Sequence, residues 1–199
     1  MKEGREVNNM IPTREKAYEL LTKYNKSESL IKHGLAVEAV MSHFAQLFDK
    51  NDVLKWSIIG LLHDVDYEMY PEQHCIKARE ILEENNYPEE YIHAVESHGW
   101  GICSKAEPIE KMEKVLYTID ELTGLITATV FMRPSKSILD LEVKSVKKKF
   151  KTKGFAAGVD RNLIIGGAEM LQMELDIIID ETIKGMQSVA KELGLEGQI

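Results

Sequence analysis

The feature that most constrains this chain is an apolar run that ends in two adjacent polar side chains. Residues 58–62 read Ile-Ile-Gly-Leu-Leu, and His63 and Asp64 follow them directly. Such a run predicts a buried segment, and a buried imidazole or carboxylate is stable only when it is hydrogen-bonded or bound to a metal ion. We therefore expect the run to end at a site where both side chains have a partner.

Helical periodicity and helix-terminal residues cover most of the chain, whereas strand patterns are hard to find. The spacing predicts helices over about 14–24, with Thr13 as N-cap, over 27–48 and over 52–63. Further helices are expected to open at Pro71, Pro88 and Pro108, and a last stretch, with Asp160 as its cap and Gly166-Gly167 as a loosening point, to continue to about residue 193. The sequence thus predicts an all-α fold.

Four histidines fall on the apolar faces of these helices, and Asp120 lies within the one that opens at Pro108. A single histidine on such a face is more often an ordinary core residue than a ligand. Four of them in one small chain, with two aspartates, favour a shared site for one or two divalent cations. The predicted ligands are His33, His63, Asp64, His74, His98 and Asp120, while His43 and His93 lie off these faces and are expected at the surface.

Length and composition indicate one domain covering residues 1–199. The polar, charged start from Met1 to Asn9 is unlike a secretory leader, and the longest apolar stretch is too short to span a bilayer. Two cysteines, Cys75 and Cys103, are expected as reduced thiols. These features together predict a cytoplasmic protein without a membrane partner, and its oligomeric state is left open.

The charge of the chain is unevenly distributed. The formal net charge is −8, which disfavours binding to duplex nucleic acid, but the segment from Arg133 to Arg161 carries nine basic residues against three acidic ones. Such a segment either recognises a local anionic partner, for example a phosphorylated small molecule, or forms an ordinary solvated surface. The candidates for phosphate contacts are Arg133, Lys147, Lys148 and Arg161.

The histidine and aspartate pattern resembles the HD-domain superfamily of metal-dependent phosphohydrolases, including its HDIG-type members. The matching stretches are His33-Gly-Leu-Ala-Val-Glu38, Gly60–Glu68, Pro71–His74, Ser97–Gly99 and Thr118–Gly124, and two later segments resemble a subgroup of small, single-domain bacterial HD proteins. Where HDIG-type members have Ile-Gly after the His-Asp pair, this chain has Val65-Asp66. That departure weakens a transfer of mechanistic detail but not of metal binding.

The resemblance covers about residues 17–190 and implies that they form the core of a single-domain HD-type helical bundle with a binuclear metal centre. His33, His63, Asp64 and Asp120 would hold one divalent ion, and Asp64, His74 and His98 would hold a second, with Fe, Mn, Mg, Ni, Co and Zn not distinguished. Two ions bridged by Asp64 would activate a water for attack on phosphorus. Asp66 and Glu68 are candidates for supporting acceptors or for an acid/base group, the alternative being helix caps or solvated acids.

The expected function is hydrolysis of a small phosphorylated metabolite or nucleotide. Two alternatives stay open, namely a di-iron oxygenase on the same scaffold and a non-catalytic nucleotide-binding module. Thr123, Gly124 and Thr127, about one turn beyond Asp120, are small enough to leave room for a substrate, although small residues at a helix crossing would explain them equally.

Overall fold

The structure is a computed structural model that describes residues 12–152 and 154–197, and within these ranges it contains ten α-helices and no β-strand. The predicted all-α fold is therefore confirmed. The segment Met1–Asn9, on which the expectation about a leader rests, lies outside the described residues.

The helices follow one another with short connections. They are α1 (Arg14–Tyr24), α2 (Glu28–Phe48), α3 (Val53–Leu62), α4 (Ile76–Glu84), α5 (Glu89–Ser97), α6 (Lys111–Phe131), α7 (Val143–Phe150), α8 (Arg161–Leu171), α9 (Leu175–Gln187) and α10 (Ala190–Leu193). Thr13 and Asp160 cap α1 and α8, as predicted. Helix α6 begins three residues after Pro108, because Glu110 and Glu113 form a capping box that fixes its start.

The predicted helix at Pro71 is wrong in its start. Pro71–Gln73 form only a single 3-10 turn, and α4 begins at Ile76. Between them Cys75 has a φ of 69°, a left-handed conformation that interrupts the helix. The Asp66 carboxylate accepts a hydrogen bond from the backbone N–H of Ala78 at 2.8 Å and so caps α4 from outside. His74 therefore lies in a loop and not on a helix face.

The C-terminal region is divided into three helices and not one continuous stretch. The Gly166-Gly167 pair does not loosen α8, which runs through both residues. A Cβ at residue 167 would collide with Thr118 of α6, so this glycine allows the two helices to pack closely. Helix α8 ends at Leu171, and the left-handed backbone of its C-cap Gln172 redirects the chain into α9.

Helix α2 lies at the centre of the packing and contacts α3, α6 and α9. Buried apolar residues from Ala17 to Leu195 form one hydrophobic cluster, and the assignment of a single domain stays a prediction. A Cβ at Gly60 would lie 3.0 Å from the Val37 carbonyl oxygen, so α3 crosses α2 at short range. This close crossing sets the ends of the apolar run beside α2. None of the described helices combines the length and apolarity needed to cross a bilayer.

Candidate metal centre

The six predicted ligands converge at one place, although they come from different kinds of backbone. His33 lies in the second turn of α2, and Asp120 lies in the middle of α6. His63 and His98 are the C-caps of α3 and α5. Asp64 lies in the turn after α3, and His74 follows the 3-10 turn. The expectation that the four histidines lie on helix faces is therefore wrong for those at helix ends and in the loop, but the six side chains do meet.

The first group of ligand atoms contains two imidazoles and two carboxylates. The Nε2 atom of His33 lies 3.1 Å from Nε2 of His63 and 2.9 Å from Oδ1 of Asp120. The Nε2 atom of His63 lies 3.3 Å from the same Asp120 oxygen. Asp64 completes the group with its Oδ2 atom, 3.7 Å from His33 and 3.4 Å from His63.

The second group shares Asp64 with the first. Its Nε2 atoms, from His74 and His98, lie 3.1 Å apart. The other Asp64 oxygen, Oδ1, lies 3.4 Å from His74 and 3.6 Å from His98. Asp64 thus directs one carboxylate oxygen to each group.

These separations fit the donor shell of a metal ion. Ligand atoms at about 2.1 Å from an ion are about 3.0 Å apart in an octahedron and about 3.4 Å apart in a tetrahedron. The distances within the two groups run from 2.9 to 3.7 Å. Four imidazole nitrogens with carboxylate oxygens also suit Zn, Fe, Mn, Co and Ni, and they do not select one of them.

Three of the histidines have a protein partner at the other ring nitrogen. The Nδ1 atom of His63 lies 2.8 Å from the Gly60 carbonyl oxygen, and Nδ1 of His98 faces the Val95 carbonyl oxygen. The Nδ1 atom of His74 lies 2.8 Å from the Asp66 carboxylate. Such contacts fix the ring orientation and leave Nε2 free to bind a metal, which is the usual arrangement for metal-binding histidines.

The two acidic residues that follow the His63-Asp64 pair have different positions. Asp66 is fully buried, and its two oxygens bind His74 and the N-terminus of α4. Glu68 is exposed, and its Oε2 atom accepts the backbone N–H groups of Lys26 and Ser27 at 2.6 and 2.9 Å, which caps α2. Asp66 is therefore both a supporting acceptor and a helix cap, whereas Glu68 is a helix cap.

The electrostatics of the site favour opposite charges on its carboxylates and imidazoles. Burial opposes protonation of His63, but the charges of Asp64 and Asp120 raise the pKa of His63 well above 6.5. Burial likewise disfavours ionised Asp64 and Asp120, but His63 outweighs it and lowers the pKa of both carboxyls. A cation would replace the protons that this cluster holds in its absence.

A cavity of about 800 Å³ opens beside His33. Its wall includes Gly124 and Thr127, as the small residues beyond Asp120 suggested, together with Lys32. The third small residue, Thr123, is buried and donates to the Asp120 carbonyl oxygen at 2.7 Å. The remaining wall has a polar edge and an apolar part. Ser27, Glu28 and Ser29 form the edge, and the apolar part contains Ala36, Ala128, Phe131, Leu193 and Leu195.

Three of the four basic residues proposed for phosphate contacts have protein partners. Arg133 pairs with Asp140 at 2.6 Å, and Lys147 pairs with Asp176 at 2.7 Å. Arg161 donates to the Phe150 carbonyl oxygen at the end of α7, at 2.8 Å, and to the Val159 carbonyl oxygen before α8, at 3.1 Å. Lys148 is exposed on α7. Among the residues that the structure describes, these four do not line the cavity beside His33.

The two remaining histidines lie outside the six-residue group. His43 contacts Glu181 at 2.6 Å, and His93 contacts Glu113 at 2.7 Å. Both are half-buried and not fully at the surface, because each is paired with a carboxylate of another helix.

Sequence reasoning missed three residues beside the site. Lys32 directly precedes His33, and a single lysine on a helix surface has no pattern that marks it as functional. Glu121 adjoins Asp120, and burial and the Asp120 charge raise its pKa to about 7. Asn25 is buried and donates to the carbonyl oxygens of Asp64 and Val65 at 3.3 and 2.9 Å. A single buried asparagine after a helix produces no periodic pattern in the sequence. Only the fold shows that Asn25 holds the turn that contains Asp64.

Comparison with known families adds an independent finding. Residues 30–125 match the model of the HD domain, a segment that contains all six convergent side chains. Comparisons with curated proteins and with solved structures give no significant match. The helical fold, the histidine and aspartate groups and the matched segment agree, and residues 30–125 of the chain are an HD domain.

Proposed function

We propose that this protein is a metal-dependent phosphohydrolase that acts on a small phosphorylated metabolite or nucleotide. The observation that carries the proposal is the position of Asp64, which directs Oδ2 to His33 and His63 and Oδ1 to His74 and His98. This geometry supports two adjacent cation sites, and such pairs serve hydrolysis of phosphate esters in many enzymes. The number and identity of the ions belong to the proposal.

The residues divide into two donor groups. His33, His63, Asp64 and Asp120 would hold one ion, and His74, His98 and Asp64 the other. When bound, two such ions would lower the pKa of a water and offset the charge on phosphoryl oxygens. The chain itself positions these donors, because Asp66 orients His74 while Asn25 holds the backbone of Asp64. We therefore assign Asp66 a positioning role and leave Asp64 as the ligand common to both groups.

The cavity beside His33 is the proposed substrate site. His33 is 24% exposed and Asp120 22% exposed, so the first donor group is open to solvent on this side. Lys32 lies in the same wall, where its ammonium pairs with Glu28 at 2.7 Å and could exchange that partner for a phosphate. The apolar part of the wall suits the organic portion of an ester. The basic segment with Arg133, Lys147, Lys148 and Arg161 would contribute through its longer-range field.

The experiment that tests this function measures inorganic phosphate release from a panel of phosphate monoesters and nucleotides. The purified protein, reconstituted with Mn²⁺, is assayed in air and under nitrogen. We expect equal rates, because hydrolysis needs no redox change. Turnover that stops under nitrogen and requires iron would instead support the di-iron oxygenase. Ligand binding without turnover under both atmospheres would support the nucleotide-binding module.

A matched pair of variants on α5 shows whether the activity belongs to this site. His98→Ala removes a ligand of the second group and should abolish most of the phosphate release. His93→Gln changes a histidine of the same helix outside the group, and activity should persist. Loss of activity in both variants would point to damage of α5 and not to a metal ligand.

A further inference from the structure

The two cysteines of the chain are in direct contact beside the second donor group. The Sγ atoms of Cys75 and Cys103 lie 2.8 Å apart, although the two residues are 28 positions apart in the sequence. Non-bonded heavy atoms normally rest about 3.5–4.0 Å apart, so this is closer than packing alone requires. Cys75 is buried, with 1% exposure, and Cys103 is half-buried, so Cys103 is the more accessible residue of the pair.

A tight turn holds Cys103 over Cys75. The backbone N–H groups of Cys103 and Ser104 both donate to the Gly99 carbonyl oxygen at 3.0 Å. A Cβ at residue 99 would collide with both sulfur atoms, so the pair can meet only because this position is a glycine. The contact therefore depends on a local arrangement that is specific to this turn.

The backbone at Cys75 is a second, independent observation. Its φ of 69° is a conformation in which glycine is relaxed and a residue with a Cβ is strained. Glycine would relieve this strain, so the presence of a cysteine here indicates that its side chain has a role. The part of that side chain in contact with Cys103 is its sulfur atom.

We propose that Cys75 and Cys103 form a reversible intramolecular disulfide by exchange with a low-molecular-weight disulfide. A disulfide has a bond of about 2.05 Å, so the sulfur atoms need to approach by only about 0.8 Å. This proposal does not depend on the proposed hydrolase activity. Both residues are reduced thiols in the structure, as the sequence predicts, and the proposal adds an oxidised state.

The exchange proceeds in two balanced steps. The more exposed thiol, Cys103, attacks one sulfur of the small disulfide, which gives a mixed disulfide and releases one small thiol that takes the Cys103 proton. Cys75 then attacks Sγ of Cys103, and the second small thiol leaves with the Cys75 proton. Two protein thiols are oxidised to one disulfide, and one small disulfide is reduced to two thiols.

The cross-link would connect two segments that carry predicted metal ligands. His74 directly precedes Cys75, and His98 directly precedes the Gly99 that contacts both sulfurs. Oxidation would thus tie the loop before α4 to the turn after α5. Because the bond closes a loop between distant residues, we expect the oxidised protein to unfold at a temperature several degrees higher than the reduced protein.

The test equilibrates the purified full chain with glutathione buffers of graded oxidised-to-reduced ratio. Samples are quenched with acid, alkylated and measured by intact mass. The reduced protein should take two alkyl groups. The oxidised protein should take none and weigh about 2 Da less than the unalkylated reduced protein, because it has lost two hydrogens. Peptide mapping should then join the segments around residues 75 and 103.

Matched variants make the test specific to this geometry. Gly99→Ala should require a glutathione ratio about tenfold more oxidising, because its Cβ separates the sulfurs. Gly166→Ala, at a position with open space around it, should behave like the wild type. Cys103→Ser should leave Cys75 with a single alkylation.

Three outcomes would overturn the proposal. Two alkylatable thiols in the most oxidising buffer would show that the pair does not form a disulfide. Disulfide-linked dimers in place of the intramolecular product would assign the cysteines to contacts between chains. Protection that disappears with a chelator and leaves the mass unchanged would show that the thiols bind a metal, which the proximity of Cys75 to His74 and His98, within 4.8 Å, allows.

Discussion

The Nδ1 atom of His74 donates a hydrogen bond to Oδ1 of Asp66 at 2.8 Å. The second Asp66 oxygen accepts the backbone N–H of Ala78, so one buried carboxylate fixes both a candidate metal ligand and the start of α4. His74 is outside the helix, and this carboxylate gives it the orientation that helical backbone gives His33. The position of the second donor group therefore depends on a residue that is not a ligand.

Asp66→Asn should weaken metal binding at the second group by about 10- to 100-fold, because the amide cannot stabilise the His74 ring as a carboxylate does. Calorimetric titration of metal into the metal-free protein would measure this loss. Glu68→Gln is the matched control, since Glu68 contacts backbone N–H groups at the start of α2. Equal affinities in the two variants would contradict the positioning role of Asp66.

The purified protein should bind about two divalent ions per chain, because the six ligands form two groups that share Asp64. His98→Ala should retain about one ion. Asp64→Ala should retain neither ion at comparable affinity, with helix content near native, since the helices have their own apolar faces. Metal analysis with circular dichroism checks all three proteins. If Asp64→Ala stays fully active with metal bound, the central assignment is wrong.

Lys32→Gln should raise KM about tenfold with little change in kcat, because Lys32 lies in the cavity wall beside His33. Lys148→Gln should raise KM less, and only at low salt, since an exposed charge on α7 acts at long range and is screened. Steady-state kinetics at two ionic strengths separates the two effects. A Lys148→Gln variant with unchanged KM at low salt would remove α7 from substrate binding.

Arg161→Gln should lower the free energy of unfolding by about 2 kcal/mol, because the guanidinium donates to several carbonyl oxygens between Phe150 and Val159. Denaturant unfolding measures this loss. Stability unchanged by the substitution would contradict the structural role and favour Arg161 as a free phosphate ligand.

Metal affinity should rise with pH above 6.5. In the metal-free protein, burial disfavours protonated His63, but Asp64 and Asp120 raise its pKa well above 6.5. The proton on His63 thus stabilises the metal-free fold below pH 6.5, and this contribution is lost as the pH rises through the raised pKa. Metal must displace that proton, so calorimetry in buffers of different ionisation enthalpy should show proton release. Binding without proton release in this range would contradict the raised pKa.

The helical fold and the identity of the six convergent side chains could be predicted because both depend on residue patterns within short segments of the chain. Apolar residues at helical spacing define faces, and polar ligands on or next to such faces are conspicuous whatever the partner helix is. This reasoning found Asp120 on α6 and Asp64 after the run 58–62 without knowledge of their distance. It placed His74 on a helix, because Pro71 and the acid after it resemble a helix start.

The tertiary structure alone decided which atoms meet. No local pattern specifies that Asp66 caps α4 from twelve residues away, that Lys147 pairs with Asp176, or that Cys75 contacts Cys103. These contacts join segments distant in sequence, and they depend on how closely helices cross, as Gly60 allows for α2 and α3. The sequence by itself determined which side chains are candidate ligands, because side-chain chemistry and periodicity are local. Packing decided their geometry, because it depends on every element at once.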